Sequence, residues 1–215
     1  MSGKAHCPLC GAAESREFGR DARRNYLRCA RCFLVWVPPE YYLDRAQERS
    51  EYDKHQNATD DPGYRTFLDR LCQPLLAVLG ENATGLDFGC GPGPALACML
   101  REAGHHVALY DSFYFPDSDV LTDTYDFVSA TEVVEHLHQP GAELDQLWAM
   151  LGDGGVLAVM TKLVLDEEAF SRWHYKNDPT HVVFFSELTW RWWAQQKSAR
   201  LEQHGADVVL LHKDG

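Results

Sequence analysis

The segment Leu86-Asp87-Phe88-Gly89-Cys90-Gly91-Pro92-Gly93-Pro94 sets three glycines at alternate positions directly after a short apolar run. Residues without a Cβ take backbone angles closed to others and let a ligand approach the main chain. In doubly wound sheets, the crevice beyond the carboxyl ends of the strands is where nucleotide-like ligands lie. The spacing argues against two related loops. A dinucleotide loop has G-x-G-x-x-G, whereas the third glycine here comes one residue early and between prolines. A phosphate-binding P-loop needs a Lys-Ser/Thr pair, and none follows.

The flanking pattern alternates strands and helices. Residues 86–88, 107–110 and 125–130 read as strands, and 156–163 as a continuous apolar strand buried on both faces. Residues 95–103, 142–151 and 186–196 read as helices, the first bounded by Pro94 and Gly104. Residues 200–203 and 207–212 form a closing hairpin around His204-Gly205. The expected class is α/β: a Rossmann-like, doubly wound, mostly parallel sheet with a C-terminal antiparallel hairpin. Upstream, residues 41–79 read mostly as helix, broken near Asp60-Asp61-Pro62-Gly63. Phe67, Leu68, Leu71, Leu75, Leu76 and Leu79 fall on one face, with Pro74 expected to kink or split the helix.

The loop and its acid resemble the signature of class I S-adenosylmethionine-dependent methyltransferases, an acidic residue followed by G-x-G-x-G. The run Tyr125-Asp126-Phe127-Val128-Ser129-Ala130-Thr131-Glu132-Val133-Val134-Glu135-His136 resembles the fourth-strand motif of the ubiquinone-biosynthesis-like and type 11/12 members. The resemblance runs from about residue 64 to the C-terminus, with its three motifs in order. It implies S-adenosylmethionine as cofactor. Gly89, Cys90, Gly91 and Gly93 then offer backbone, side chains at Gly89 and Gly91 being expected to collide with the methionyl part. Asp87 steadies the loop and the ammonium group, while Asp111, with Ser112 beside it, takes the ribose hydroxyls. Thr131, Glu132 and Val133 line the cofactor near its methionine end, and Glu135 and His136 face the substrate mouth.

One departure stands out: residues 112–124 are too short for the usual extra helix and strand. The sheet is therefore expected to lack one edge strand, leaving the adenine contact to Asp117 or Asp119. Related sequences carry an Asp-Pro-x-His segment, matched here by Asp178-Pro179-Thr180-His181. Residues 171–185 are thus expected to cover the acceptor, with His181, His174 or His136 available to take its proton. The competing reading is an aromatic loop packed on the sheet, with His181 satisfied by a backbone carbonyl. Tyr52, His55, Asn57 and Tyr64 are expected to close over the cofactor from the other side.

Cys7-Pro8-Leu9-Cys10-Gly11 and Cys29-Ala30-Arg31-Cys32 lie eighteen residues apart, the spacing of a zinc ribbon. Cys7, Cys10, Cys29 and Cys32 would leave no open position on the metal, so zinc would be structural; iron is the minor alternative. Cys72, Cys90 and Cys98 suit small buried thiols. The expected divisions are a ribbon at 1–38, a helical lead-in at 39–80 and a methyltransferase domain at 81–215.

A formal charge of −12 repels a phosphate backbone over most of the surface. It is uneven: residues 1–37 carry seven basic and three acidic side chains, net +4, which leaves −16 on the remainder. No stretch approaches the roughly 20 apolar residues of a membrane span, and no apolar run precedes Cys7, so a cytoplasmic enzyme is expected. The leading reading is methyl transfer to a small-molecule acceptor at oxygen, nitrogen or carbon. The competitors are an RNA or protein methyltransferase using the basic ribbon for recognition, and a non-catalytic cofactor-binding protein. The sequence carries no indication of oligomeric state.

Overall fold

The computed structural model describes residues 6–54 and 58–214. Their elements run β1 Ser15–Arg20, β2 Asn25–Cys29, β3 Val35–Trp36, α1 Arg45–Tyr52, α2 Pro62–Leu76, β4 Thr84–Phe88, α3 Ala95–Glu102 and β5 His106–Tyr110. They continue with β6 Tyr125–Thr131, α4 Pro140–Ala149, β7 Leu151–Met160, α5 Glu167–Ser171, β8 Val183–Phe184, α6 Glu187–Lys197, β9 Arg200–His204 and β10 Val208–His212. One sheet has the order β5-β4-β6-β7-β10-β9. Its first four strands are parallel, and β10 pairs antiparallel with both β7 and β9.

Alternation in β7 explains the long apolar run. Val156, Ala158 and Met160 face the layer of α2 and α3, whereas Leu157 and Val159 face the layer of α4, α6 and the cysteine-rich module. Val208 and Leu210 in β10 share the first layer; Val209 and Leu211 share the second. A period of two with both sides covered gives an unbroken hydrophobic string. This strand starts at Leu151, five residues before the expected start at 156, because its first residues continue the pairing with β6 through a register shift after Tyr125.

The missing edge strand is borne out: β5 ends the sheet. Residues 112–124 supply instead a bridge between Asp111 and Phe115 and a short 3-10 helix at Ser118–Thr122. Pro74 does not split its helix. α2 runs on to Leu76, and a proline this close to the C-terminal end removes only one backbone bond.

The cysteine-rich module is joined to the rest by a strand. β1, β2 and β3 form a meander, and β8 pairs with β3 through Val35–Phe184 and Trp36–Val183. The Pro8-Leu9 turn packs on the start of α4, where a Cβ on Gly141 would stand 2.4 Å from the Leu9 carbonyl oxygen.

Gly85 shows how closely the central strands sit: a Cβ there would lie 2.2 Å from the Phe127 ring. Overpacking a filled core costs about 1–3 kcal/mol. Gly85→Ala is expected to lower the unfolding midpoint in urea without changing the slope; an unchanged midpoint would show that Phe127 has room to move.

Candidate active site

At the carboxyl ends of β4, β5 and β6 lies a cavity of about 790 Å³. The glycine loop forms one wall. Gly89 and Gly91 have φ of +70° and +63°, angles that favour glycine. The two glycines are needed for different reasons. A Cβ on Gly91 would meet nothing within 4 Å, so that wall is bare backbone; one on Gly89 would strike Val133 at 2.5 Å. At position 89 the protein's own Val133 already leaves no room for a Cβ, whatever the loop receives. Gly89 and Cys90 donate their amides to the Tyr110 carbonyl at 2.8 and 3.2 Å, tying the loop to β5. Burial pushes the Cys90 thiol up, leaving it a neutral lining group.

Asp111 bridges two loops. Its Oδ1 accepts the amides of Phe113 and Tyr114 at 2.8 and 3.0 Å, and its Oδ2 accepts that of Gly91 at 3.1 Å. Asp87 is buried beneath the loop and outside the cavity lining; it accepts the Ser129 hydroxyl at 2.9 Å. Burial raises its pKa to about 6 against that bond. Ser112, Thr131, Glu132 and Gly93 line the cavity, as do Tyr52 and Tyr64; His55 and Asn57 lie outside the described residues. Neither Asp117 nor Asp119 is among the lining residues. Asp117 caps its own turn through the Asp119 amide at 3.1 Å, and Leu121 occupies the wall instead.

On the opposite side, the Glu-His motif meets the 171–185 loop. His136 and His181 line the cavity with ring centroids 4.6 Å apart. His181 Nδ1 lies 2.8 Å from the Tyr175 carbonyl, and burial, then the neighbouring His136, lowers its pKa to about 3. It is neutral at pH 7 and a weaker proton acceptor than a free imidazole. The structure does not bring His174 to the cavity: it is exposed, with Nε2 3.2 Å from Lys162 Nζ. Glu135 does not face the mouth either. It is fully buried below it, and the Tyr175 hydroxyl donates to its Oε1. Glu132 Oε2 lies 3.2 Å from the same hydroxyl. Burial raises the pKa of both glutamates, and the neighbouring Glu135 raises that of Glu132 further. Tyr175 and Asp178, both lining residues, were missed as site residues. Asp178 opens the Asp-Pro-x-His segment, whereas nothing local sets Tyr175 apart within an aromatic stretch.

The cysteine-rich module holds this loop. Arg24, 6% exposed, donates to the carbonyls of Lys176, Asp178 (2.9 Å), Pro179 (3.2 Å) and His181 (3.0 Å). Arg23 reaches Asn177 Oδ1 at 2.8 Å, and Lys176 Nζ returns to Asp21 at 3.2 Å. Burial alone would raise the Asp21 pKa, but the amides of Arg23 and Arg24, the Tyr26 hydroxyl and Lys176 hold it far below the usual carboxylate range.

Cys7, Cys10, Cys29 and Cys32 converge at the far end of the module. Sγ separations are 3.5 Å for Cys7–Cys32 and for Cys10–Cys29, and none forms a disulfide. Sulfurs about 2.3 Å from a tetrahedral ion stand roughly 3.8 Å apart. The cluster is compatible with a zinc ribbon.

A parallel sheet with a terminal antiparallel hairpin, and a bare glycine wall at its switch point, define the Rossmann-like methyltransferase class, whose enzymes use S-adenosylmethionine. The chain belongs to the methyltransferase domain family, which it matches over residues 62–204. It is 35% identical over 91 residues to the ubiquinone biosynthesis O-methyltransferase of Nitrobacter winogradskyi, covering 42% of this chain and 34% of that one. The chain thus matches about a third of that curated relative's length. Among the solved structures that share the fold are two methyltransferases. The Burkholderia thailandensis 1,6-didemethyltoxoflavin-N1-methyltransferase, with 1,6-didemethyltoxoflavin and S-adenosylhomocysteine bound, aligns with a TM-score of 0.54 and 17% identity over 94% of this chain and 100% of its own. The Synechocystis magnesium protoporphyrin IX methyltransferase, with S-adenosylhomocysteine bound, gives 0.55 and 13% over 81% and 97%.

Proposed function

We propose that this protein transfers a methyl group from S-adenosylmethionine to a small-molecule acceptor, with its ribbon holding one structural zinc through Cys7, Cys10, Cys29 and Cys32. The observation that carries the reading is the bare Gly91 wall facing a cavity that runs on to His136 and His181. The cofactor supplies an electrophilic methyl on a sulfonium centre. Backbone at Gly89, Cys90, Gly91 and Gly93 receives its methionyl part, and Asp111 and Ser112 receive its ribose. Thr131, Glu132 and Val133 border the methyl side. An in-line displacement needs mainly alignment and exclusion of water, which Tyr52, Phe113 and Tyr175 on the cavity wall supply. His136 and His181 stand on the acceptor side.

The N1-methyltransferase structure holds a small molecule beside its cofactor product, which supports the same kind of acceptor here. The basic module gives little support to an RNA partner, because Arg23 and Arg24 are spent on the 176–181 loop and Arg16 pairs with Glu167. Among the described residues no helix is long and apolar enough to cross a membrane, in keeping with a cytoplasmic enzyme. Titration calorimetry is expected to show one S-adenosylhomocysteine bound per chain, while structured RNA at moderate salt gives no gel shift. A chain that ignores S-adenosylhomocysteine would end this reading, and a salt-dependent shift would move the acceptor to RNA.

A further inference from the structure

The cavity wall is short of positive charge. Glu48, Asp111, Glu132, Glu143 and Asp178 give it carboxyl groups, and among the described residues Lys162 is the one lysine or arginine that lines it. Most of these carboxyl groups already have partners within the protein. Glu48 stands 2.9 Å from His138 Nε2, and Asp111 accepts the amides of Gly91, Phe113 and Tyr114. Glu143 accepts the Gln139 amide, and Asp178 accepts the amide and hydroxyl of Thr180. Lys162 has no such match: among the described residues it forms no ion pair with a carboxylate.

Its ammonium is nevertheless held in place, where lysines commonly trail into solvent. Nζ lies 3.2 Å from His174 Nε2, the ammonium donating and the imidazole lone pair accepting, and 5.2 Å from the centre of the Tyr175 ring. The backbone on either side is fastened too. The Thr161 amide donates to the Asp207 carbonyl at 2.9 Å, and the Val164 amide to that of Phe185 at 2.8 Å. His174 takes one ammonium proton, which leaves two for a ligand. Glu132 feels this charge, but burial, then the neighbouring Glu135, push its pKa up and favour its neutral form. The positive charge is only weakly offset.

Position in the sheet tells which reactant meets it. The glycine loop follows β4, whereas Lys162 lies just beyond the end of β7, and β6 separates the two strands. With neighbouring strands about 4.8 Å apart, β7 stands roughly 10 Å from the strand whose loop receives the methionyl part. That places the ammonium with Tyr175 on the acceptor side. A single ammonium among carboxyl groups matches one negative charge, whereas a phosphate dianion calls for more donors.

We propose that Lys162 binds a carboxylate of the methyl acceptor, which makes the substrate a small organic acid. The ammonium fixes the acceptor by a charge-assisted hydrogen bond and so sets which of its atoms reaches the methyl. This names the substrate class of the methyltransferase reading and rests on that reading.

Benzoate and benzamide have the same shape and differ in charge, and phenyl phosphate adds a second charge. Each would be titrated into the full chain with and without S-adenosylhomocysteine. Binding would be followed by NMR at the Trp173 indole, whose ring lies 5.0 Å from that of Tyr175. Benzoate is expected to bind at least tenfold more tightly than benzamide, and phenyl phosphate no more tightly than benzoate. Lys162→Met, similar in length but uncharged, should bring benzoate down to the benzamide level and leave S-adenosylhomocysteine affinity unchanged in calorimetry. A smaller benzoate preference in wild-type protein that binds S-adenosylhomocysteine would overturn the acid assignment and leave the methyltransferase reading intact. So would a preference that survives in Lys162→Met, or tighter binding of phenyl phosphate. Weaker S-adenosylhomocysteine binding by the folded variant would give the lysine to the cofactor's own carboxylate and overturn the proposal. Should Lys162→Met fail to fold, the wild-type comparison of benzoate with benzamide decides. A benzoate preference in a chain without S-adenosylhomocysteine affinity would sink the cofactor reading, and the acceptor assignment with it.

Discussion

Asp111→Ala is expected to weaken S-adenosylhomocysteine binding about 100-fold or more in titration calorimetry. Two effects combine. In the proposed site the carboxylate accepts ribose hydroxyls, and charge-assisted bonds contribute about 1.5–3 kcal/mol each. It also ties Gly91 to Phe113 and Tyr114, so its removal loosens both walls of the nucleoside end. Losing about 3 kcal/mol corresponds to the stated factor, since every 1.4 kcal/mol is tenfold. Asp117→Ala serves as the control, because Asp117 lies off the cavity and caps only its own turn. Equal affinities for wild type and Asp111→Ala would remove Asp111 from the cofactor site. A large loss in Asp117→Ala would put the adenine contact back in the 112–124 segment.

Removing the metal proposed for the ribbon, or replacing Arg24 by Met, is expected to abolish most methyl transfer by loosening residues 176–185. Arg24→Met takes a donor from four loop carbonyls; those of Lys176 and Asp178 keep the Tyr26 hydroxyl at 3.5 Å and the His181 amide at 3.3 Å, whereas those of Pro179 and His181 are stranded. Stranding buried polar groups costs about 1–3 kcal/mol each before relaxation, so a net loss of about 4 kcal/mol is reasonable. For a chain of this size that lowers the melting temperature by about 10 °C. The effect should travel further. Val37 donates to the Val182 carbonyl at 2.8 Å, and Val182 donates to that of Glu135 at 2.9 Å, so β3, the loop and the Glu-His motif form one hydrogen-bonded chain. Hydrogen exchange should show the amides of 176–185 losing protection, while β4 and β5 at the nucleoside end keep theirs. A ribbon that can be stripped of metal without changing exchange in 176–185 would show that it does not support the acceptor wall.

Local chemistry made a large part of the molecule legible. The glycine loop declared itself because backbone at φ near +65° admits little else, and Asp111 because an acid closing the next strand falls beside that loop. The paired cysteines were readable from spacing alone. The double-sided burial of β7 was visible as a hydrophobic run, and the loss of an edge strand as a connection too short to hold one. Each of these signals lies within a few neighbouring residues.

What escaped depends on atoms far apart in the chain. Arg24 reads as one arginine of a basic module, but it meets carbonyls 152 to 157 positions away. Gly89 answers to Val133 and Gly141 to Leu9. His174 and His181 share one aromatic segment, and only the fold sends the first to solvent and the second to the cavity. Glu135 and His136 are adjacent, yet one is sealed beneath the site and the other opens onto it. Sequence by itself determined the sheet, the loop and the cysteine cluster, because strand alternation, glycine backbone angles and ligand spacing are properties of short segments. Tertiary structure alone decided which carboxylates and imidazoles face one another. That outcome depends on how β8 leaves the 171–185 loop to complete the ribbon's sheet, a pairing of distant strands that no local periodicity encodes.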